Sequence, residues 1–250
     1  MSRIALITGA TSGIGKACAI SLSKEGYSII ATGRRENRLK ELKSELAKNV
    51  AYHYLVFDVS DREAVEAAIG ALDDDWKEID VLINNAGNAH GLDPIDKGSI
   101  DDWDAMMDIN VKGLLYVSKQ IMPLMKERRA GHIVNIGSIA AKEVYPNGNV
   151  YCASKHAVDA ITNGMRLDLT QHGIKVTGIH PGLVETEFSK VRFKGDEEKA
   201  KKVYEGFEPL KAHDIADIVR FAVTRPNHVV MTDITVLAGG QANSNTVYRK

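Results

Sequence analysis

The sequence contains few cysteines and no long hydrophobic run. Only Cys18 and Cys152 occur among its 250 residues, which is too few for a disulfide framework and gives no metal-ligand spacing. The apolar opening Ile4–Ile7 is interrupted at Gly9, far short of a signal-peptide core or a membrane span. We therefore expect a soluble, uncleaved protein of the reducing cytoplasm that does not insert into a membrane.

Neither sign of charge dominates the sequence. The chain carries 32 Lys and Arg against 33 Asp and Glu, a net charge of −1. Basic residues are spread along the chain, so there is no electrostatic case for binding nucleic acid or an anionic membrane. No linker, repeat or low-complexity tract divides the 250 residues. Because an α/β fold of this length is commonly one domain, we expect a single domain over residues 1–250.

Seven short apolar runs rich in β-branched residues predict strands. They are Ile4 to Thr8, Tyr27 to Thr32, Tyr52 to Phe57, Val81 to Asn84, His132 to Ile136, Ile174 to Ile179 and Ile234 to Leu237. Their lack of strict alternation is typical of strands covered on both faces. Most are separated by helix-length segments with apolar residues three and four apart. This order predicts an α/β fold with a single Rossmann-type, doubly wound parallel sheet of about seven strands and helices on both faces.

Two segments carry apolar residues around much of a helix circumference rather than along one stripe. One follows Asn110 and the other contains Tyr151. A deeply buried pair of helices is the simpler explanation, and contact with other subunits is the alternative. We favour the alternative and expect an oligomer.

A glycine-rich turn follows the first predicted strand and leads into a helix. Its spacing is Gly-x-x-x-Gly-x-Gly rather than the commoner Gly-x-Gly-x-x-Gly. Glycine lets the backbone approach a pyrophosphate, and the helix N-terminus supplies unpaired N–H groups and a positive dipole end. A purely structural turn is the alternative, but the strand-turn-helix context favours dinucleotide binding. The candidate cofactor residues are Gly9, Thr11, Ser12, Gly13, Ile14 and Gly15.

Arg34 and Arg35 follow the second predicted strand. An NAD enzyme usually places an acid here, on the ribose 2′-hydroxyl. A guanidinium fork instead matches a 2′-phosphate in geometry and charge. Two arginines that begin a helix are otherwise an ordinary solvated face, but their replacement of the acid favours NADP as the cofactor.

Tyr151 and Lys155 stand four residues apart, and Ser138 ends an apolar strand just upstream. Residues at this spacing project from one face of a helix. We expect the ammonium to favour the phenolate and to lower a pKa that starts near ~10. Such a tyrosine exchanges protons with an alcohol at neutral pH. One Tyr-x-x-x-Lys can arise by chance among eight tyrosines, so the surrounding motifs decide its meaning.

The combined motifs closely resemble the short-chain dehydrogenase/reductase family over about residues 3–240. They are Gly9, Gly13 and Gly15, Asn84 to Gly87, Asn110, Ser138, Tyr151 and Lys155, in this order. The resemblance implies that Tyr151 is the acid/base on the substrate oxygen and that Lys155 also holds the nicotinamide ribose. It further implies that Ser138 orients the substrate and that Asn110 supports a water path to Lys155. Simple capping of a strand or helix is the alternative for Ser138 and Asn110.

The same resemblance implies further contacts with NADP. Asp58 and Val59 look like the pair that holds the adenine ring. The loop of Asn85, Ala86 and Gly87 resembles the one that closes over the adenosine ribose. The family's Pro-Gly segment, whose threonine meets the nicotinamide carboxamide, is matched by Pro181, Gly182, Val184 and Thr186.

The substrate lid of the family corresponds to about residues 185–210. The lid resembles that of NADP-dependent dehydrogenases of small 3-hydroxy acids such as serine, allo-threonine and 3-hydroxypropionate. A carboxylate requires a cation, and Arg192 is the leading candidate, although a solvated charged face is the alternative. Rival functions are a 3-oxoacyl carrier-protein reductase or carbonyl reductase of the same family, and a non-catalytic NADP-sensing protein.

Two further expectations concern metals and assembly. The histidines form no metal-ligand cluster in the sequence, so we expect packing or surface roles for them and no bound metal. In similar enzymes the usual assembly is a tetramer, and the resemblance therefore implies a homotetramer here.

Overall fold

Seven parallel strands form the central sheet. The computed structural model describes residues 3–250. Within that range the strands are β1 (Ile4–Ile7), β2 (Ser28–Gly33), β3 (Tyr52–Val56), β4 (Ile79–Asn84), β5 (Gly131–Ile136), β6 (Ile174–Pro181), β7 (Val184–Glu185), β8 (Leu210–Lys211) and β9 (Asp233–Val236). The sheet has the order β3-β2-β1-β4-β5-β6-β9, while β7 and β8 pair separately. Every neighbouring pair in the sheet is parallel, which confirms the predicted doubly wound sheet.

Helices connect the strands and cover both faces of the sheet. In the described residues they are α1 (Gly13–Lys24), α2 (Glu36–Leu42), α3 (Arg62–Gly70), α4 (Asp74–Lys77), α5 (Ile100–Met107), α6 (Leu114–Arg128), α7 (Asn149–Leu169), α8 (Phe188–Arg192), α9 (Glu197–Lys202) and α10 (Ala212–Val223). A π-helical turn, Asp108–Gly113, precedes α6 directly. None of the helices within residues 3–250 is long and apolar enough to cross a membrane.

The core consists of two apolar layers separated by the sheet. Side chains alternate along each strand, so Ile7 of β1 lies in the layer formed with α1, α2 and α10. Leu6 lies in the opposite layer, which contains Val117 of α6 and Val158 of α7. Because both faces are covered, the strands are almost continuously apolar, as the sequence predicted.

The apolar surfaces of α6 and α7 are only partly used within the chain. Val117, Ile121 and Met125 are buried in the core, so burial explains much of the broad apolar pattern. Leu115 and Leu167 remain 39% and 83% exposed. The apolar surface that these helices leave for the predicted subunit contact is therefore smaller than the sequence indicated.

The order in which successive strands are added to the sheet reverses between β1 and β4. The connections from β1 through β3 build one half, and those from β4 onward build the other. Crevices that bind ligands lie at the carboxyl ends of the strands at such a reversal. The glycine-rich turn after β1, the Asn85 loop after β4 and Ser138 after β5 therefore come together at one edge.

His132 makes the stability of this sheet sensitive to acid. It is buried on β5, where its Nε2 lies 2.8 Å from the Thr177 hydroxyl of β6. Burial, with a smaller effect from the Lys175 charge, lowers the pKa of His132 to about 3. The unfolded state then binds one more proton than the folded state between about pH 6.5 and this lower value. The free energy of unfolding should fall by about 1.4 kcal/mol per pH unit across this window as pH decreases.

Chemical denaturation at several pH values checks this contribution. In His132→Gln the position no longer titrates. The free energy of unfolding should therefore change less steeply with pH than in the native sequence, by an amount equivalent to at most one proton. An unchanged slope in the variant would show that His132 does not bear this linkage.

Candidate active site

The turn between β1 and α1 is shaped to bring backbone close to a ligand. Gly13 adopts φ +53°, a left-handed conformation that side chains rarely adopt. A Cβ at Gly15 would lie 2.4 Å from Asn85 Nδ2, so only glycine fits there. Asn85 Nδ2 donates to the Thr8 carbonyl at 2.9 Å. The Asn85 side chain thus links the glycine-rich turn to the loop after β4.

The hydroxyl groups of the turn are held by an arginine. Arg35 Nη2 donates to Thr11 Oγ1 at 2.7 Å and to Ser12 Oγ at 2.8 Å. Ser12 is the N-terminal flanking residue of α1. The first N–H groups of this helix and the guanidinium group consequently define one electropositive surface, which is suited to phosphate oxygens.

Arg34 lies on the other side of the turn and pairs with Asp58. Its Nη1 is 3.1 Å from Asp58 Oδ2. Burial acts to raise the pKa of Asp58, but hydrogen bonds from Ser60 and the nearby Arg34 outweigh it and lower this pKa. The predicted adenine-binding residue is therefore an anion in contact with a predicted phosphate-binding residue.

Tyr151 and Ser138 meet where α7 passes the end of β5. Tyr151 is 7% exposed, and its ring packs edge-on against Phe188 with centroids 5.7 Å apart. The Ser138 hydroxyl is near enough to the phenol to act on its pKa. Ser138 Oγ accepts from Ala140 N at 3.1 Å, so this hydroxyl caps a local turn next to the phenol.

The expected lowering of the Tyr151 pKa is wrong for this structure. Burial raises the pKa of Tyr151 above its ordinary value, and the Ser138 hydrogen bond and the Arg192 charge oppose this only in part. Lys155 Nζ lies 5.9 Å from the ring centroid and donates to the Ile136 carbonyl at 3.1 Å. Burial also lowers the pKa of Lys155 to about 8. Desolvation therefore governs both groups, and its extent cannot be read from an i, i+4 spacing.

Asn110 is buried next to the first turns of α7. It occupies the π-helical turn before α6 and is 2% exposed. Its Nδ2 donates to the Asn88 carbonyl at 2.9 Å and to Ser154 Oγ at 3.0 Å. Ser154 Oγ donates in turn to the Tyr151 carbonyl at 2.7 Å. Asn110 thus positions the first turns of α7, and its amide is fully engaged in protein contacts.

Arg192 enters the site from the last turn of α8. Its Nη2 donates to Tyr145 Oη at 2.5 Å, and its guanidinium carbon lies 5.1 Å from the Tyr151 ring centroid. A second contact joins Arg192 Nε to the Gly91 carbonyl at 3.4 Å. The alternative of a solvated charged face does not describe this position, because the guanidinium group stacks on two aromatic rings.

A cavity of about 650 Å³ joins these features, which is within the range of small-molecule and cofactor sites. The predicted residues that line it are Gly9, Thr11, Ser12, Gly13, Ile14, Arg34, Arg35, Asp58, Val59, Asn85, Ala86, Gly87, Ser138, Tyr151, Lys155, Pro181, Gly182, Val184, Thr186 and Arg192. Gly15 and Asn110 do not line it: Gly15 leaves room for the Asn85 side chain, and Asn110 donates to Ser154.

Several residues of the site were not predicted. Phe188 packs on Tyr151, and Glu187 beside it contacts Arg35 and Arg38. Gln241 of the C-terminal segment accepts from Leu183 N at 2.9 Å and also lines the cavity. These residues belong to charged or polar stretches whose long-range partners leave no local pattern in the sequence.

One histidine lies in a charged group that its sequence spacing did not indicate. His180 Nε2 is 3.5 Å from Asp159 Oδ1 and 3.6 Å from Asp233 Oδ2. The Lys142 ammonium lies 2.9 Å from Asp159 and also contacts Asp233. Burial and the Lys142 charge lower the pKa of His180 despite the carboxylates. Lys142 thus supplies a positive charge that pairs with both acids.

Comparisons with known proteins agree with this geometry. The chain is 46% identical to an NADP-dependent 3-hydroxy acid dehydrogenase of Salmonella typhi over 235 residues, 94% of each chain. It is 40% identical to a serine 3-dehydrogenase of Rhizobium radiobacter over 251 residues, all of both chains. Among solved structures, the closed form of serine dehydrogenase complexed with NADP+ is similar with a TM-score of 0.92 and 42% identity. That similarity covers 99% of this chain and 100% of the other.

The short chain dehydrogenase profile matches residues 3–197, which include the glycine-rich turn, Ser138, Tyr151 and Lys155. Sequence motifs, sheet order and full-length relatives therefore lead to one conclusion. The chain belongs to the short-chain dehydrogenase family.

Proposed function

We propose that this protein is an NADP-dependent oxidoreductase that acts on the hydroxyl carbon of a small 3-hydroxy acid, such as serine, allo-threonine or 3-hydroxypropionate. The observation that carries the proposal is one cavity lined by the glycine-rich turn, the Ser138–Tyr151 pair and the lid cation Arg192. The names of the full-length relatives support the same substrate class and cofactor.

The residues of the cavity fit NADP. Backbone at Gly13 and the N-terminus of α1 suit the pyrophosphate, while Arg34 and Arg35 suit the 2′-phosphate. When bound, the nicotinamide supplies the hydride acceptor or donor. Lys155, buried beside Tyr151, would bind the nicotinamide ribose and influence the phenol.

Proton transfer is assigned to the phenol of Tyr151. During oxidation the phenolate accepts the substrate hydroxyl proton, and during reduction the phenol returns it. Ser138 holds the same substrate oxygen by hydrogen bonding. Asn110 acts through Ser154 and α7, and it is therefore a positioning residue. Because burial favours the neutral phenol, oxidation should accelerate as pH rises.

Arg192 is proposed to bind the substrate carboxylate. A guanidinium group forms two parallel hydrogen bonds with a carboxylate, and here it lies over Tyr151, where the hydroxyl carbon must react. Tyr145 fixes its orientation through the 2.5 Å hydrogen bond. A carrier-protein thioester offers no carboxylate, so this arrangement favours the small acid over a 3-oxoacyl substrate.

Replacement of Arg192 by alanine tests this role. We expect KM for serine or 3-hydroxypropionate to rise about tenfold to a hundredfold, since a charge-assisted hydrogen bond contributes ~1.5–3 kcal/mol. Uncharged alcohols and ketones should be affected far less. Lys190→Ala is the matched control, because Lys190 lies on the same short helix but pairs with Glu197 instead. Equal losses on charged and neutral substrates would remove Arg192 from this role.

The overall function is tested with a panel of hydroxy acids, alcohols and acyl thioesters, each with NADP and NAD, followed at the nicotinamide absorbance. We expect the best rates with a small 3-hydroxy acid and NADP. Preference for long acyl thioesters would instead assign a carrier-protein reductase. Cofactor binding without turnover of any substrate would assign a sensing protein.

The proposed function also includes a substrate lid, a cellular location and an assembly. Residues 185–210 would form the substrate lid of a single domain, since α8 lines the cavity together with Val203 and Tyr204. A cytoplasmic location would supply NADP. The exposed Leu115 and Leu167 would take part in a homotetramer, which light scattering of the purified protein tests; a monomer at working concentration would contradict it.

A further inference from the structure

Glu187, at the start of the lid, holds two arginines of the cofactor-binding region. Its Oε2 lies 2.9 Å from Arg35 Nη1. Arg38 Nη1 donates to both carboxylate oxygens, at 2.8 Å to Oε1 and 3.0 Å to Oε2. Glu187 is 149 residues from Arg38 in sequence. Two guanidinium groups thus converge on one anion beside the glycine-rich turn.

The other N–H groups of Arg35 bind the glycine-rich turn, which leaves one nitrogen to contact Glu187. Nε and Nη2 of Arg35 are engaged with the hydroxyls of Thr11 and Ser12, so Nη1 is the donor that faces Glu187. Burial acts to raise the pKa of Glu187, but Arg35 and Arg38 outweigh it and lower this pKa to about 2. The carboxylate is therefore ionised at every working pH and competes with any other anion for the two arginines.

Replacement by a phosphate is energetically accessible. The three side chains are 39–42% exposed, and ion pairs this exposed contribute little to stability. A phosphate monoester carries more negative charge than a carboxylate near neutral pH and offers three acceptor oxygens. It therefore interacts more strongly with the same pair of guanidinium groups.

We propose that Arg38 joins Arg34 and Arg35 in binding the 2′-phosphate of NADP, and that this phosphate displaces the Glu187 carboxylate from Arg35 and Arg38. The proposal rests on the NADP dependence proposed above. It adds a specificity-determining residue, Arg38, and gives the lid a means of responding to the phosphate that distinguishes NADP from NAD.

The residues next to Glu187 connect this exchange to the reacting groups. A Cβ at Gly13 would lie 3.4 Å from the Thr186 side chain, so the lid begins directly over the glycine-rich turn. On the other side, Phe188 packs against Tyr151. Release of Glu187 therefore frees a segment that contacts both the pyrophosphate-binding turn and the phenol.

Calorimetric titration with 2′,5′-ADP and with 5′-AMP tests the exchange, because these ligands differ only in the 2′-phosphate. Arg38→Leu should bind 2′,5′-ADP about tenfold more weakly, as expected for loss of a charge-assisted contact. Glu187→Gln should bind it about fivefold more tightly, because a competing exposed pair is removed. Affinity for 5′-AMP should be unchanged in both. The ratio of the two affinities within each variant cancels any general loss of folded protein.

Two matched controls lie close by in sequence. Glu185→Gln makes the same charge change two residues earlier but removes a pair with Lys211, and Lys40→Ala removes a pair with Glu36 on the same helix as Arg38. Neither should alter the ratio. Trypsin cleavage in the lid, at Lys190 or Lys194, should accelerate when 2′,5′-ADP is added to the native sequence, whereas Glu187→Gln should be cleaved rapidly without it.

The outcomes separate this inference from the function on which it rests. Equal binding of 2′,5′-ADP and 5′-AMP by the native sequence would overturn the NADP assignment and the exchange together. Preference for 2′,5′-ADP that Arg38→Leu leaves intact would overturn the role of Arg38 alone. Unchanged or weaker 2′,5′-ADP binding by Glu187→Gln would show that the carboxylate is not a competitor.

Discussion

Replacement of Tyr151 by phenylalanine is expected to lower turnover about a thousandfold, which is within the range that general acid–base catalysis contributes. The ring remains, so its packing against Phe188 and Arg192 is retained. Only the hydroxyl next to Ser138, which is the group proposed to exchange the substrate proton, is lost. NADP affinity should therefore stay within a few-fold of the native value, because no proposed cofactor contact requires the phenol oxygen to ionise.

Steady-state rates and a separate binding titration distinguish these effects. Tyr52→Phe is a suitable control, since it also removes one hydroxyl, which donates to the Leu39 carbonyl on the far side of α2. That variant should lose some stability but keep its turnover. Near-native turnover by the Tyr151 variant would exclude the phenol from proton transfer. Loss of NADP binding in parallel with turnover would indicate a structural role instead.

Most of the fold could be predicted from the sequence because its strands are buried on both faces. Continuous β-branched runs have no other common explanation when helical segments separate them. The ends of the strands were predicted less accurately. Strand β4 begins at Ile79 rather than at the predicted Val81. Strand β6 continues past the predicted Ile179 to Pro181, which pairs with Val236 of β9. Such ends depend on pairing partners far away in the chain, which local composition does not reveal.

The site was predictable where function requires a residue type at a fixed local spacing. Gly13 and the Tyr151–Lys155 pair are of this kind. The Glu187–Arg38 contact is not, because a charged side chain near the surface has the same local signature whether or not it is paired. The pKa of Tyr151 was predicted in the wrong direction for a related reason. A spacing of four residues indicates that a cation is near, but the depth of burial that outweighs it arises only from tertiary packing.

Lys155 should be a position where function opposes stability. Its side chain is 6% exposed, its hydrogen bond to the protein is the contact with the Ile136 carbonyl, and burial lowers its pKa to about 8. A buried ammonium with so large a shift costs about 3 kcal/mol when charged. Lys155→Met keeps the length of the side chain without the charge. We expect the variant to lose both turnover and NADP affinity while its free energy of unfolding increases.

The increase in the free energy of unfolding of Lys155→Met should depend on pH, and this dependence tests the cause more directly than a single value. Between about pH 8 and 10.5 the unfolded chain holds a proton on Lys155 that the folded chain has released. The stability of the native sequence therefore rises across this window, and the advantage of the methionine variant should shrink by about 1.4 kcal/mol per pH unit. Lys119→Met, at an exposed position of α6, should show no such change. A variant less stable than the native sequence at pH 7, or a stability difference that is constant with pH, would show that the Lys155 ammonium is satisfied by its surroundings. In that case its presence would need no functional explanation.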